Sequence, residues 1–219
     1  MQSLLTVTTL ASSYDLTVLE TAKTELKITD GSKDVEIAVL IHQVSSAISS
    51  ICDRVFAEET ISEVFRLGRT KTWDGQIEGD FKETLILRRR PISSIVSVIE
   101  DGTTVDSVEY ECDFKSGLLY RLTDEDFRTG WSADKITVNY ISGWYLLDNL
   151  PYDVEKACLL WVKSLWIQTQ RSDLSVRVED VPGLMRKEYF SQSQNNPKGY
   201  DPPPEVMVLL HPYIEVSIR

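Results

Sequence analysis

Histidine is scarce in this sequence: only His42 and His211 occur in 219 residues. The three cysteines, Cys52, Cys112 and Cys158, are far apart, odd in number and without a Cys-x-x-Cys pair. That spacing gives no zinc site and fits reduced thiols in a chain that folds in a cytosol. There is no G-x-x-x-x-G-K-[ST] or G-x-G-x-x-G loop and no G-x-S-x-G elbow, so the usual signatures of nucleotide binding and serine hydrolysis are missing. No run approaches the roughly 20 apolar residues of a membrane span. The opening MQSLLTVTTL lacks a basic stretch followed by a long apolar one, so no secretory signal is expected. The chain is expected to be soluble and intracellular when made. Cations are also in short supply, with 23 Lys plus Arg against 34 Asp plus Glu and a net charge of -11. Such a surface repels phosphate backbones on average, because sequence-independent nucleic-acid binding needs clustered cations.

What remains offers few groups for chemistry. Arg88, Arg89 and Arg90, flanked by Lys82, form the densest cationic cluster. The plain reading is a solvated strand end whose charges block edge pairing. The alternatives are ion pairs to an acidic neighbouring subunit or phosphate contact, and the acidic total favours the subunit. Asp124, Glu125 and Asp126 stand together, and Asp101 follows Glu100. A glycosidase pair could hide among them, although a run of acids is usually a solvated loop. Trp73, Trp131, Trp144, Trp161 and Trp166 suggest either a sugar platform or core and interface anchors, the second being the commoner use. His42 reads as a partly exposed helix residue, and His211, before Pro212, as a local backbone contact. No catalytic, cofactor-binding or metal-ligating residue is assigned, and no cofactor is expected.

With 42% hydrophobic and 26% charged residues, the composition is that of a globular protein, of a length suited to one large domain or two small ones. Residues 1–16 read as extended. A short helix is predicted over 17–28, with Thr17 and Glu20 as a capping box. A long helix follows from Asp34 to Cys52, where Ile37, Leu40, Ile41, Val44, Ile48 and Ile51 recur at helical spacing. Its small Ser45, Ser46, Ser49 and Ser50 suit close packing. From 58 to 144 the pattern turns to β alternation. Strands are predicted over 60–67, 84–89, 94–100, 108–113, 117–122 and 136–141. Asp101-Gly102 signals a hairpin, Ser116-Gly117 marks a turn, and 69–80 reads as a long loop.

Pro151 opens a second long helix to about residue 170, as proline suits a first helical turn. Val154, Ala157, Cys158, Trp161 and Leu165 make its main stripe, and it is apolar nearly all round. Such a helix must be covered on several sides, by the β module or by a neighbouring subunit. The two long helices are expected to pack on each other. Residues 175–190 read as partly extended, and 191–204 as a flexible linker. Residues 204–219 read as a short helical turn before His211-Pro212 and then an extended tail. The resulting class is α+β, a helical bundle of long helices with a β-rich insertion and an extended C-terminal arm. Its parts are 1–57 (helical), 58–144 (β insertion), 145–171 (completing helix) and 172–219 (arm).

The order of these segments is similar to that of the head–tail connector, or adaptor, proteins of long-tailed phages and gene transfer agents, in their longer form with a β-rich insertion. The residues concerned are LTVLETAKTELKITDGSKD (16–34), AISSICDRVF (47–56), RRRPISSIVSVIEDG (88–102), ITVNYISGW (136–144), LPYDVEKACLLWVKSLW (150–166), VEDVPGL (178–184) and LLHPY (209–213). Residues 1–16 and 69–80 have no counterpart. The resemblance implies a virion protein without catalytic residues. It would form a ring, usually of twelve identical subunits, beneath a portal protein. It would extend the DNA channel and dock a tail-side protein such as a stopper or tail terminator. Genomic DNA would pass without specific binding, past walls whose acidity avoids cation–phosphate contacts, and no membrane would be involved. Alternatives are another neck or tail-completion protein, or a carboxylate-based glycoside hydrolase. The resemblance also points to Val206, Met207, Leu209, Leu210, Tyr213 and Ile214 as contacts to the portal or an adjacent subunit, on an arm that is mobile in the free subunit and ordered when docked. A tail folded back on its own domain is the other reading of the same apolar residues.

Overall fold

The computed structural model describes residues 3–71, 77–79, 82–146, 148–170, 178–181, 185–188 and 202–215. In chain order its elements are β1 (Leu4–Thr9), α1 (Leu19–Leu26), α2 (Asp34–Cys52), β2 (Glu59–Arg66), β3 (Arg69–Lys71), β4 (Ile77–Gly79), β5 (Thr84–Ile86), β6 (Ile92–Glu100), β7 (Thr103–Val105), β8 (Tyr110–Asp113), β9 (Leu118–Leu122), β10 (Arg128–Thr129), β11 (Lys135–Ser142), α3 (Tyr152–Thr169), β12 (Val178–Val181), β13 (Met185–Glu188) and α4 (Pro204–Leu210). The fold is α+β. It divides into a β unit, residues 1–13 and 55–149, and a helical unit, residues 14–54 and 150–219.

The β unit is built on a five-stranded sheet of order β1-β2-β11-β6-β7, antiparallel throughout. Period-2 alternation places Ile61 and Phe65 of β2, and Ile136, Val138 and Tyr140 of β11, on the buried face. A smaller antiparallel sheet runs through β9, which pairs with β5, β8 and β10. Leu85, Leu87, Leu119 and Trp131 from this part join Val98 and Tyr140 in one core. The indole N–H of buried Trp131 donates to the Leu119 carbonyl at 3.2 Å.

The β6–β7 turn uses Asp101 and Gly102, both at positive φ (47° and 93°), as a two-residue hairpin loop of this sequence requires. Gly143 is more constrained. Its φ is +103°, and a Cβ there would lie 2.2 Å from the Ala57 carbonyl oxygen. This close approach carries the Trp144 N–H to the Phe56 carbonyl at 2.7 Å. It also accompanies the stacking of the Phe56 and Trp144 rings, with centroids 5.6 Å apart.

In the helical unit α2 packs against α1 and α3, with Ile37, Ile41, Val44 and Ile48 buried on one side and Val154, Ala157, Cys158, Trp161 and Leu165 on the other. Ser45 is buried where the helices meet, its Oγ 3.8 Å from Cys158 Sγ and accepting the Leu16 N–H at 2.9 Å. A larger side chain there would hold the helices apart. By length and composition α2 could cross a membrane; its Ile37, Ile41, Val44 and Ile48 are buried, while Val35 and Val39 are exposed. Both α1 and α2 end on a left-handed residue, Lys27 (φ 59°) and Asp53 (φ 50°). The following N–H reaches back to the helix in each case, Ile28 to Lys23 and Arg54 to Ser49.

Several expectations are corrected. Thr17 does not cap α1: the helix starts at Leu19, and the Thr17 hydroxyl donates to Glu155 Oε1 at 3.2 Å. Ile28 lies beyond the helix, past the left-handed Lys27. Leu40 and Ile51 of α2 are only half-buried. Residues 69–80 are not simply a loop, since β3 and β4 pair as a hairpin; residues 72–76 and 80 of that stretch lie outside the described residues. The helical part is not a bundle of long helices alone: beside the 19-residue α2 and 18-residue α3 stand the short α1 and α4, of 8 and 7 residues. The C-terminal region is not an extended arm throughout. β12 and β13 form a hairpin, and α4 packs along α3. Most of the expected linker, 191–201, lies outside the described residues, as do Trp73 and 216–219.

Candidate functional site

The residues expected to make contacts beyond the chain lie on and after α4. Pro203 precedes this helix in an extended conformation, and Pro204 takes its first turn, where the fixed φ of proline suits a helix. Its four-residue spacing turns Val206 and Leu210 the same way, and both are fully buried. Met207, Leu209, Tyr213 and Ile214 are half-buried. Val208 stands out from the helix, 74% exposed. Beyond a 3-10 turn at His211–Tyr213 the chain returns to the end of α2. There the Glu215 N–H donates to the Cys52 carbonyl at 2.9 Å, and its carboxylate pairs with Arg54 at 3.0 Å. Burial and the nearby Asp153 push the Tyr213 hydroxyl above its ordinary pKa. The tail thus supplies cover for the all-round apolar α3, which composition had left to the β module or another subunit.

A second constellation escaped the sequence reading. Glu63 of β2 is fully buried among apolar side chains. Its carboxylate accepts the Tyr140 hydroxyl at 2.8 Å, the Arg88 backbone N–H at 3.1 Å and the Ser3 hydroxyl. The Arg89 N–H in turn donates to Tyr140 Oη at 3.3 Å. Burial first, then the Glu63 charge, raises the Tyr140 pKa well above its ordinary value. Three donors answer one carboxylate, which is what a buried charge needs to persist. The network ties the start of β1, β2, β11 and the arginine-bearing turn together. The signal was present as a carboxylate on the apolar side of an alternating strand, between Ile61 and Phe65.

The remaining candidates do not converge. Arg88 is exposed and Arg89 half-buried, and neither side chain has an ion-pair partner among the described residues. Arg90 reaches the Ser116 carbonyl. Asp124, Glu125 and Asp126 occupy the exposed turn between β9 and β10. His42 is exposed on α2, with Nδ1 3.2 Å from Asp15. Burial raises all three thiols, Cys52 and Cys112 to about 11 and Cys158 to about 12, so they remain protonated and poorly nucleophilic at neutral pH. Among the described residues no group of three His, Cys, Asp or Glu could hold a metal ion. Trp131 and Trp161 are buried in cores, and the half-buried Trp144 is stacked on Phe56.

The fold and these contacts define an α+β protein whose polar networks and docked tail hold its own elements together. No family model matches the sequence, and no curated protein matches it. Solved structures do. A chain from the neck of an empty GTA particle computed with C6 symmetry aligns over 99% of this chain and 97% of its own length, with a TM-score of 0.54 at 13% identity. Chains from the virion of a native gene transfer agent (GTA) particle and from the neck of a native GTA particle computed with C12 symmetry each align at a TM-score of 0.49 and 12% identity, over the same shares. This chain therefore shares the fold of the first of these neck chains, end to end.

Proposed function

We propose that this chain is a structural virion protein, a head–tail connector subunit that forms a ring beneath a portal and extends the channel through which DNA passes. The observation that carries this reading is the end-to-end likeness in fold to a GTA neck chain. It agrees with the order of motifs from residue 16 to residue 213. In this reading the protein works through contact surfaces and needs no cofactor. Portal or neighbouring subunits meet the outer side of the tail, where Val208 is exposed and Met207 and Leu209 are partly so. Val206 and Leu210 serve the same contact indirectly, by seating the helix. Tyr213 and Ile214 flank it. The other face of the ring receives a tail-side protein of the stopper or terminator kind. The acidic balance of the chain suits a channel that must release DNA.

The test is co-purification with a portal protein, followed by imaging of the complex. A ring of this chain under the portal is expected. Particles with the chain elsewhere in the neck or tail would favour the tail-completion reading. A chain absent from particles that cleaves glycosidic bonds would overturn the structural reading altogether.

A further inference from the structure

The five-stranded sheet of the β unit has two open edges, and neither carries a charge. On one side β1, with the sequence LLTVTT, pairs with β2 alone. On the other, β7 covers β6 only from Val98 to Glu100. Ser93–Ser97, with the sequence SSIVS, has no backbone partner on its outer side among the described residues. Open edges are usually defended by lysine, proline or an inward-pointing charge. Here both lack all three, in a chain of which 26% is charged, and the only device of this kind at either edge is a β-bulge or irregularity. Aliphatic side chains are exposed beside both, Leu4 at 69% and Val96 at 58%.

Strand direction makes these two edges complementary. Each neighbouring pair from β1 through β2 and β11 to β6 is antiparallel. β1 and β11 therefore run one way, and β2 and β6 the other. A second copy set beside the first in the same orientation presents its β1 antiparallel to β6. This is the stronger of the two ladder geometries. The lengths are similar, six residues in β1 against five in the open part of β6, which is bounded by Phe114 at Ile92 and by β7 at Val98. Both edges are bent, β1 between Val7 and Thr9 and β6 opposite Asn139/Tyr140 and Ile141/Ser142, so the joined strands must follow a curve. Copies with a net charge of -11 repel where acid meets acid, and these edges bring no like charges together.

We propose that β1 of one copy adds to the Ser93–Ser97 edge of the next, continuing the sheet from subunit to subunit. The contact is heterologous, so it propagates head to tail and closes into a ring when the rotation allows. The proposal rests on the ring reading above and names the surface that would build it.

Sedimentation of the full chain over a range of concentrations tests it. The wild type should form oligomers larger than dimers. Thr6→Lys and Val96→Lys, both at exposed positions, should each remain monomeric with an unchanged thermal melt. If either melts low, Leu4→Lys or Ser93→Lys replaces it. An equimolar mixture of the two variants retains one intact edge of each kind and should give 1:1 dimers and nothing larger. A mixture that stays monomeric overturns the pairing of these two edges. Variants that associate as the wild type does also overturn it, and leave the ring reading standing on another contact. A wild type that is monomeric at every concentration overturns this interface together with self-assembly of the ring.

Discussion

The Glu215 backbone N–H donates to the Cys52 carbonyl at 2.9 Å, so the C-terminal segment closes the end of α2. The last carbonyls of a helix have no partner within it, and here a residue 163 positions further along supplies one. The adjoining Arg54–Glu215 ion pair is largely sheltered, with side-chain exposures of 18% and 17%. The tail is thereby fastened at two places, by Val206 and Leu210 in the core and by Glu215 at the helix end.

Removal of that seat should be costly. Leu210→Ala is expected to lose about 2–5 kcal/mol, the usual range for a fully buried leucine, measured by urea unfolding. Deletion of 204–219 should expose the apolar side of α3 and give a chain that melts lower and aggregates. A deleted chain that melts like the wild type would show that α4 contributes nothing to the unit.

Gly143→Ala should be among the most damaging single substitutions. The new methyl would sit 2.2 Å from the Ala57 oxygen, at a φ of +103° that side chains resist. A loss of at least about 3 kcal/mol is expected from strain and displacement together. Near-ultraviolet circular dichroism should report the Phe56–Trp144 stack separating. Gly102→Ala, with nothing within 4 Å of the added atom, should cost less.

The Glu63–Tyr140 bond should show strong coupling. Tyr140→Phe leaves a buried carboxylate short of one donor, at a cost of about 1.5–3 kcal/mol. In a cycle with Glu63→Gln the two losses should be clearly non-additive. Alkaline pH reports on the same group. The folded protein holds the Tyr140 pKa above its ordinary value, so the stabilisation is complete below about pH 10, the unfolded value. It declines as pH rises beyond that. In Tyr140→Phe this alkaline decline should be shallower.

Glu25 gives the acid counterpart. A hydrogen bond from Lys163 at 2.8 Å, aided by Lys156 at 3.6 Å, holds its carboxyl below the ordinary value of 4.5. Its stabilisation is therefore present above pH 4.5 and lost as pH falls through the lowered folded value. The pair is partly exposed and screened, so Glu25→Gln should cost only about 0.2–1 kcal/mol at pH 7. The difference from wild type should shrink as the pH falls below 4.5, in melts run from neutral to acid pH.

Local periodicity determined much of this protein by itself. Helical spacing marked Asp34–Cys52 and the helix after Pro151, because one apolar stripe every 3.6 residues has few other uses. Alternation marked the strands around Ile61, Val98 and Val138, and Asp101-Gly102 marked the hairpin between β6 and β7. The sequence also made clear that α3 needs cover on several sides. Only the tertiary structure decided what provides it. Apolar residues of the kind found at 206–214 can seat on any complementary surface, and none of them encodes whether that surface belongs to α3 or to another chain. The fate of Thr17 was likewise hidden, since its hydroxyl chose Glu155, distant in sequence, over the nearby helix end. The same holds for Glu63, whose position on a core face was legible while its donors were not. Ser3, Arg88 and Tyr140 meet it only through strand pairing and turn geometry, and long-range contacts of that kind leave no period in a sequence.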